Sequence, residues 1–256
     1  MSYHAIADYY DAEYQARDML AQDVPFFLGQ LPRRKQSILE LAVGTGRAAI
    51  PLAQAGHRVV GIDYDAQMIR LAIAKRDSVG LTDKQLRLLR MDALRMNLRE
   101  KFDWICIFFN TLPNFTTIDQ QDRLLQGVRK HLKRRGRFWI EIFNPDLNLL
   151  ARPRSKELDP ILFYVPHLDR TVLRTMEVRP DPVNQRQRLT FHYRWFDNTG
   201  RERKEKIEFD LTFLFPRELQ LLVERNGMRI ESIWGDYDGS KLTNDSPRII
   251  ACCKHR

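Results

Sequence analysis

The chain has 256 residues, 43% of them hydrophobic and 29% charged, which is typical of a globular protein with one large or two small domains. Its apolar runs, such as "WICIFF" at 104–109, are far shorter than the roughly 20 residues of a membrane-spanning helix, and its N-terminus shows no signal-peptide pattern, so we expect a cytoplasmic protein that engages no membrane. The net charge of +9 and the pI of about 9.6 raise nucleic acid as a partner, but the basic residues are spread evenly, which makes that partner less favoured.

The first half of the chain alternates strand and helix patterns. The predicted strands are 37–42, 57–63, 85–92, 102–109 and 137–143, and the predicted helices are 47–54, 66–76 and 118–132. Thr117 and Gln120 form a capping-box pattern where the last helix begins. This alternation predicts an α/β fold built on a doubly wound, Rossmann-like parallel sheet.

The pattern changes after Phe143. Three prolines predict a loop over 145–160, and strict alternation then predicts an antiparallel hairpin of strands at 189–196 and 206–215, to which 171–178 can add a third strand. A helix at 216–227 and strands at 228–234 and 248–254 complete a seven-stranded sheet.

Because the antiparallel strands interrupt the α/β pattern, we expect one domain with an inserted hairpin or sheet that forms a lid. Its predicted segments are an N-terminal helical cap at 1–35, a cofactor-binding core at 36–145, the insertion at 146–215, and a closing helix and strands at 216–256.

The stretch "SILELAVGTGRAAI" at 37–50 predicts a buried strand, a glycine turn and a helix. Gly44 and Gly46 satisfy the loose dinucleotide fingerprint, so the glycines alone leave two cofactor classes open. Glu40 at the strand end would repel the diphosphate of a dinucleotide. The same carboxylate suits the ammonium and sulfonium groups of S-adenosylmethionine, which Glu40 therefore favours.

Other side chains at the strand ends agree with this ligand. Asp63 ends the second strand, where a carboxylate can accept both ribose hydroxyls, although a dinucleotide would use it equally well. Asp92 ends the third strand and could accept from the adenine amino group, and Met68 could pack on the adenine face. The carboxyl ends of strands are where open α/β sheets bind ligands.

With these residues the chain resembles the class I S-adenosylmethionine-dependent methyltransferases of the small-molecule branch. The matching segments are "ELAVGTGR" (40–47), "GIDYDAQMI" (61–69), "RMDA" (90–93), "FFNTLPNF" (108–115) and "LKRRGRFWIEIFNP" (132–145). The N-terminal "IADYYDAEY" (6–14) and the tail "RNGMRIESIWGDYDG" (225–239) resemble that branch as well.

The resemblance implies a cofactor site drawn from all these segments. The residues that it assigns to S-adenosylmethionine are Tyr9, Tyr14, Glu40, Ala42, Gly44, Gly46, Arg47, Asp63, Tyr64, Met68, Asp92, Ala93, Phe108 and Asn110. Within this set, Glu40 and the glycines would hold the methionine part, and Tyr9 or Tyr14 would close over its carboxylate. Phe108 and Asn110 would approach the methyl donor. Ala42 departs from the family, which often has glycine there.

The acceptor is less defined. "NTLPNF" after the fourth strand lacks the tetrad that DNA or protein-amide methylation uses, and Asn110 and His167 are weak catalytic candidates. The predicted substrate pocket consists of Asn114, Phe115, Tyr164, Tyr193, Trp195 and Tyr237. The alternation predicts hairpin core for Tyr193 and Trp195 even more strongly than pocket.

We therefore expect a methyltransferase that uses S-adenosylmethionine on a small molecule at N or O, as a monomer or a homodimer. An RNA methyltransferase and a non-catalytic S-adenosylmethionine-binding protein are the alternatives. No metal is expected, because carboxylate pairs with metal spacing are not evident and the three cysteines have no CxxC spacing.

Overall fold

The computed structural model describes residues 7–16 and 22–256. The described chain divides into two compact units. The smaller unit combines residues 7–16 with Pro145–Phe213, and the larger unit combines Gln22–Asn144 with Leu214–Arg256. No helix within these ranges is long and apolar enough to span a membrane. The organisation as one domain with an insertion, and the role of that insertion as a lid, stay predictions.

In chain order, the helices are α1 (Ala7–Gln15), α2 (Asp23–Gln30), α3 (Ala49–Gln54), α4 (Ala66–Ser78), α5 (Ile118–His131), α6 (Leu147–Leu150) and α7 (Pro216–Arg225). The strands are β1 (Ser37–Leu41), β2 (Arg58–Asp63), β3 (Leu86–Arg90), β4 (Phe102–Ile107), β5 (Leu132–Phe143), β6 (Ser155–Val165), β7 (Arg170–Asp181), β8 (Arg186–Phe196), β9 (Glu202–Thr212), β10 (Met228–Trp234) and β11 (Arg248–His255).

The larger unit is built on a seven-stranded sheet in the order β10-β11-β5-β4-β1-β2-β3. Strands β1 to β5 pair in parallel, whereas β11 runs antiparallel to both β5 and β10. This confirms the predicted Rossmann-like seven-stranded sheet. The chain reverses its direction of winding between β1 and β4, and open α/β sheets bind ligands at such a switch point.

Helices cover both faces of this sheet. The apolar side chains of α5 and α7 pack on one face around Ile105, Phe138 and Ile140. Those of α2, α3 and α4 pack on the other face around Ile38 and Trp139. The predicted capping box of α5 is confirmed, since Gln120 N donates to Thr117 Oγ1 at 3.2 Å and Thr117 N donates to Gln120 Oε1 at 3.2 Å.

The smaller unit contains a four-stranded antiparallel sheet in the order β6-β7-β8-β9. The predicted β8–β9 hairpin is confirmed, with Leu189 opposite Phe209 and Phe191 opposite Ile207 on its apolar side. Helix α1 belongs to the same unit, where Tyr9 stacks on Tyr193 with ring centroids 5.5 Å apart.

The predicted loop over 145–160 is wrong, because it contains α6 and the first half of β6. The register of β6 shifts twice, and Glu157 and Asp159 have φ values of 53° and 48°. Proline and such irregularities are tolerated in an edge strand, where one row of backbone groups faces no neighbour. Pro160 therefore led to a loop prediction although it lies in an edge strand, where a proline is tolerated.

Candidate cofactor site

The turn after β1 has a backbone that favours glycine. Ala42, Gly44 and Gly46 have φ values of 53°, 56° and 83°. A Cβ atom on Gly46 would lie 3.2 Å from Ile50 Cδ1, so the glycine also permits close packing of the turn on α3. The backbone of the turn stays close to the end of β2, because Val43 N donates a hydrogen bond to the Ile62 carbonyl at 2.9 Å.

Glu40 lies on β1 just before this turn, between β2 and β4. Its side chain is 4% exposed, and its Oε2 has no hydrogen-bond partner among residues 7–16 and 22–256. Burial, the largest cause, raises the pKa of Glu40 to about 8; Arg47 opposes the shift, and Asp23 and Asp63 add to it. An unpaired buried carboxylate oxygen is costly, and a bound cation would relieve that cost.

Asp63 ends β2 beside the turn. Its Oδ2 accepts a hydrogen bond from Gly44 N at 2.8 Å, and its Oδ1 accepts one from Asp65 N at 2.9 Å. Burial raises the pKa of Asp63, and these two backbone hydrogen bonds oppose the shift. Each carboxylate oxygen has two lone pairs, so the group can still accept further hydrogen bonds from a ligand.

Four residues predicted to bind the cofactor follow β2 and β3, and three of them, Met68, Asp92 and Ala93, are predicted around adenine. Asp92 caps a short 3-10 helix at 93–95, with its Oδ1 accepting from Leu94 N at 2.9 Å, and Ala93 is the first residue of that helix. Met68 is buried in the first turn of α4, whereas Tyr64 is exposed. The roles of these four residues toward a cofactor stay predictions.

Arg47, just after the glycine turn, forms an ion pair with Asp23 of α2. Its Nη1 donates to Asp23 Oδ1 at 3.0 Å, and its Nη2 donates to the second oxygen of the same carboxylate. The guanidinium also lies 5.8 Å from the centroid of the Phe109 ring. Arg47 thus acts at this site together with Asp23, a residue that the sequence alone did not single out.

The loop after β4 is attached to the end of β5. Phe109 and Asn110 have φ values of 43° and 52°, which are uncommon for residues with a Cβ atom. Asn110 N donates to the Glu141 carbonyl at 3.0 Å, and Asn110 Oδ1 accepts from Phe143 N at 3.0 Å. The Asn110 side chain therefore positions this loop, and its catalytic role stays a prediction. Phe108 is buried at the start of the loop.

Two predicted substrate residues lie further along this loop. Asn114 Nδ2 donates to the Thr111 carbonyl at 3.0 Å, and its buried Oδ1 has no partner in the described part of the chain. Phe115 packs partly against the core on the α5 face of the sheet. Asn114 is thus the better suited of the two to contact a polar ligand.

A second buried acid, Glu141, lies near the end of β5. Tyr237 donates a short hydrogen bond to Glu141 Oε1, and the guanidinium of Arg248 lies 4.2 Å from the centroid of the Tyr237 ring. Arg248 Nε in turn donates to Asp236 Oδ1 at 3.1 Å. We predicted Tyr237 for the substrate pocket but missed Glu141. The signal was present, since an acid inside the apolar strand "RFWIEIF" repeats the pattern that identified Glu40.

The remaining predicted site residues belong to the smaller unit. They are Tyr9, Tyr14, Tyr164, His167, Tyr193 and Trp195. Tyr193 is fully buried and donates to Glu13 Oε2 at 2.9 Å, and Trp195 packs partly buried in the same cluster. Tyr164 is exposed and donates to Asp169 Oδ1 at 2.7 Å, and His167 is exposed in the β6–β7 connection. Their roles toward cofactor or substrate stay predictions.

The chemistry of the larger unit fits S-adenosylmethionine better than a dinucleotide. Glu40 and Asp63 place carboxylates at the ends of β1 and β2, and the nearby guanidinium of Arg47 is engaged by Asp23. The unpaired oxygen of Glu40 suits an ammonium or sulfonium group, and the carboxylate would repel a diphosphate once it is ionised. Within the described ranges, no cluster of three or more His, Cys, Asp and Glu side chains could hold a metal ion.

Comparisons with known proteins also point to a methyltransferase. Residues 38–136 match the family of methyltransferase domains. The cypemycin N-terminal methyltransferase of a Streptomyces species is 28% identical over 116 residues, which are 44% of this chain and 44% of that protein. The match thus spans less than half of that relative.

Solved structures resemble the whole chain. The CcbJ methyltransferase from Streptomyces caelestis has a TM-score of 0.79 at 21% identity and covers 98% of this chain and 96% of its own. CalS10 from Micromonospora echinaspora, an amino pentose methyltransferase solved with S-adenosylmethionine bound, has a TM-score of 0.70 at 17% identity and covers 95% and 96%. At these identities the likeness shows a shared fold.

Proposed function

We propose that this chain, which carries a methyltransferase domain of the class I, S-adenosylmethionine-dependent family, transfers a methyl group to an amine nitrogen of a small molecule. The single observation that carries the cofactor assignment is the buried, unpaired Oε2 of Glu40 beside a glycine turn. That oxygen offers a place for a cation at the strand ends where this fold binds ligands.

The names of two relatives support nitrogen as the acceptor atom. One is named an N-terminal methyltransferase, and a solved structure of this fold, with a TM-score of 0.71 at 19% identity, is named a sugar N-methyltransferase. The acidic groups of the larger unit are consistent with an acceptor that arrives as an ammonium ion. Both arguments favour an amine over a hydroxyl group.

When bound, S-adenosylmethionine would supply a methyl group on a cationic sulfur. The acceptor nitrogen would attack the methyl carbon in line with the carbon–sulfur bond, and the sulfur would leave as part of S-adenosylhomocysteine. The chain has to align the two ligands and exclude water. Asn110 serves this alignment by fixing the loop after β4 against β5 through Glu141 and Phe143. Glu40 serves it through its buried Oε2, which has no partner in the described chain and would hold the positive charge of the cofactor beside the glycine turn.

The test is transfer of labelled methyl groups from S-adenosylmethionine to a panel of alkyl amines, amino sugars, peptide N-termini, phenols, neutral sugars and RNA. We expect labelled product from one or more amines. Glu40→Gln should abolish transfer, and the control Glu224→Gln, at a half-buried position of α7 outside the candidate site, should retain it.

Other outcomes would contradict the proposal. Label in RNA that depends on low salt would favour an RNA methyltransferase. Label only in phenols or neutral sugars would move the acceptor atom to oxygen. Binding of S-adenosylhomocysteine with no product from any acceptor would favour a non-catalytic binding protein.

A further inference from the structure

The position of Glu141 in the sheet gives it a place beside the cofactor site. Ile140 of β5 lies opposite Ile107 of β4, so Glu141 comes one residue beyond the last paired residue of β4. Its backbone carbonyl accepts a hydrogen bond from the backbone N–H of Asn110, in the loop after β4. Trp139, two residues earlier, lies in register with Cys106, which is paired with Glu40. Glu141 and Glu40 therefore point to the same face of the sheet.

The side chain of Glu141 has one satisfied and one unsatisfied oxygen. It is 2% exposed, its Oε1 accepts from the Tyr237 hydroxyl, and its Oε2 has no partner within the described ranges. Buried carboxylate oxygens are normally hydrogen-bonded. Because the hydrogen bond to Oε1 holds the carboxylate in place, the unsatisfied Oε2 is suited to accept a hydrogen bond from a ligand.

The charges around Glu141 leave its own charge uncompensated. Asp23 of α2 is paired with Arg47, and Arg248 of β11 is paired with Asp236. Each guanidinium thus has an aspartate of its own. An ionised Glu141 adds one further negative charge to this buried group, which a cationic ligand would balance.

We propose that Oε2 of Glu141 receives the ammonium group of the acceptor and removes one of its protons. This assignment rests on the proposed N-methylation and names the residue that prepares the nucleophile. One N–H bond of the ammonium breaks and an O–H bond forms on Oε2. The electron pair of the broken bond stays on nitrogen as the lone pair that methyl transfer requires. Tyr237 is a positioning residue, which orients the carboxylate through Oε1.

The acid–base properties of Glu141 suit this task. Burial, the largest cause, raises the pKa of Glu141 to about 7, and the charge of Asp23 adds to the shift. The Tyr237 hydrogen bond, Arg47 and Arg248 oppose it. A general base is most effective when its pKa lies near the working pH.

The experiment compares Glu141→Gln with the parent enzyme on two acceptors of different basicity. One is the alkyl amine that the panel identifies, and the other is an amine of the same scaffold that is already neutral at pH 7. For the alkyl amine we expect kcat to fall by about 10²–10⁴-fold, the range typical of general bases. For the neutral amine we expect a much smaller loss, because it has no proton to give up before attack.

Three further measurements separate this role from a structural one. At saturating S-adenosylmethionine, where Glu40 no longer limits cofactor binding, the kcat/KM of the parent enzyme for the alkyl amine should fall below about pH 7, and Glu141→Gln should lack this limb of the pH profile. Tyr237→Phe should move the limb to higher pH, because the hydroxyl lowers the pKa of Glu141. The affinity for S-adenosylhomocysteine should stay within about twofold in all variants, as in the control Glu224→Gln.

The outcomes separate a failure of the proposed N-methylation from a failure of the role of Glu141. If no amine is methylated, the proposed function fails and this assignment falls with it. If amines are methylated but Glu141→Gln lowers kcat equally for both acceptors, or keeps the limb near pH 7, only the role of Glu141 is overturned. If Glu141→Gln does not fold, an unmoved limb in Tyr237→Phe overturns it instead.

Discussion

The protonation of Glu40 should make cofactor binding depend on pH. Without a ligand, burial holds the pKa of Glu40 at about 8, with Arg47 opposing and Asp23 and Asp63 adding to the shift. A cationic ligand requires the ionised carboxylate, so binding near neutral pH must release the proton. We expect the affinity for S-adenosylhomocysteine, whose amino group is cationic, to rise with pH up to about 8 and then to level off.

The magnitude follows from the same pKa. At pH 7 a carboxyl with a pKa of about 8 is ionised in roughly one molecule in ten, which weakens binding by about 1.4 kcal/mol, or tenfold, relative to the plateau. At pH 6 the penalty doubles to about 2.7 kcal/mol. Replacement of Glu40 by Gln should both weaken binding and remove this dependence, because the amide has no proton to release.

The ligand-free protein should respond in the opposite sense. The pKa of Glu40 lies above its ordinary value of 4.5, so between pH 4.5 and 8 only the unfolded chain releases the proton. The free energy of unfolding therefore falls as pH rises through this window, by up to about 3 kcal/mol at pH 7. Glu40→Gln should be more stable than the parent protein at pH 7 and of similar stability below pH 4.5.

Isothermal titration calorimetry from pH 6 to 9, in buffers of different ionisation enthalpy, measures the affinity and the proton release together. We expect release of close to one proton per S-adenosylhomocysteine at pH 7. An affinity that is flat from pH 6 to 8, with no proton released, would refute the reasoning, as would a Glu40→Gln variant that binds as tightly as the parent.

Three other predictions concern the same part of the fold. Asp63→Ala should weaken S-adenosylhomocysteine binding by about 1–3 kcal/mol if its carboxylate accepts ligand hydrogen bonds, and an unchanged Kd in calorimetry would remove Asp63 from the site. Ala42→Gly should raise the free energy of unfolding by about 1 kcal/mol, since Ala42 has a φ of 53°, and a lower Tm would contradict this strain. Gly61→Ala should destabilise by about 1–3 kcal/mol, because its Cβ would lie 2.7 Å from Val43 Cγ2, whereas the control Gly29→Ala, with nothing within 4 Å, should not; denaturant unfolding of both variants checks the contrast.

Periodicity predicted most of the larger unit because its signals are local. Residues 104–109 are continuously apolar because β4 is buried in the middle of the sheet, and the capping box of α5 lies within the four residues Thr117 to Gln120. The edge strand β6 was missed for the opposite reason. Its polar residues and Pro160 are compatible with an edge position but do not indicate it.

The site was only partly predictable from sequence. Glu40 stood out because it lies inside an apolar strand just before a glycine turn. Glu141 also lies inside an apolar strand but has no glycine turn after it, and its importance depends on Tyr237, which is 96 residues away in sequence and satisfies one of its oxygens. The ion pair of Arg47 with Asp23 likewise joins residues 24 apart. Pairings of this kind follow from tertiary packing and leave no local signal.

The measurement that most directly tests the cofactor assignment is parallel calorimetry of the full chain with S-adenosylhomocysteine and with NAD, made above about pH 8, where Glu40 is ionised. The buried carboxylate of Glu40 predicts binding of S-adenosylhomocysteine and no heat from NAD. Binding of NAD without binding of S-adenosylhomocysteine would contradict the central claim, because it would mean that the glycine turn receives a diphosphate in spite of that carboxylate.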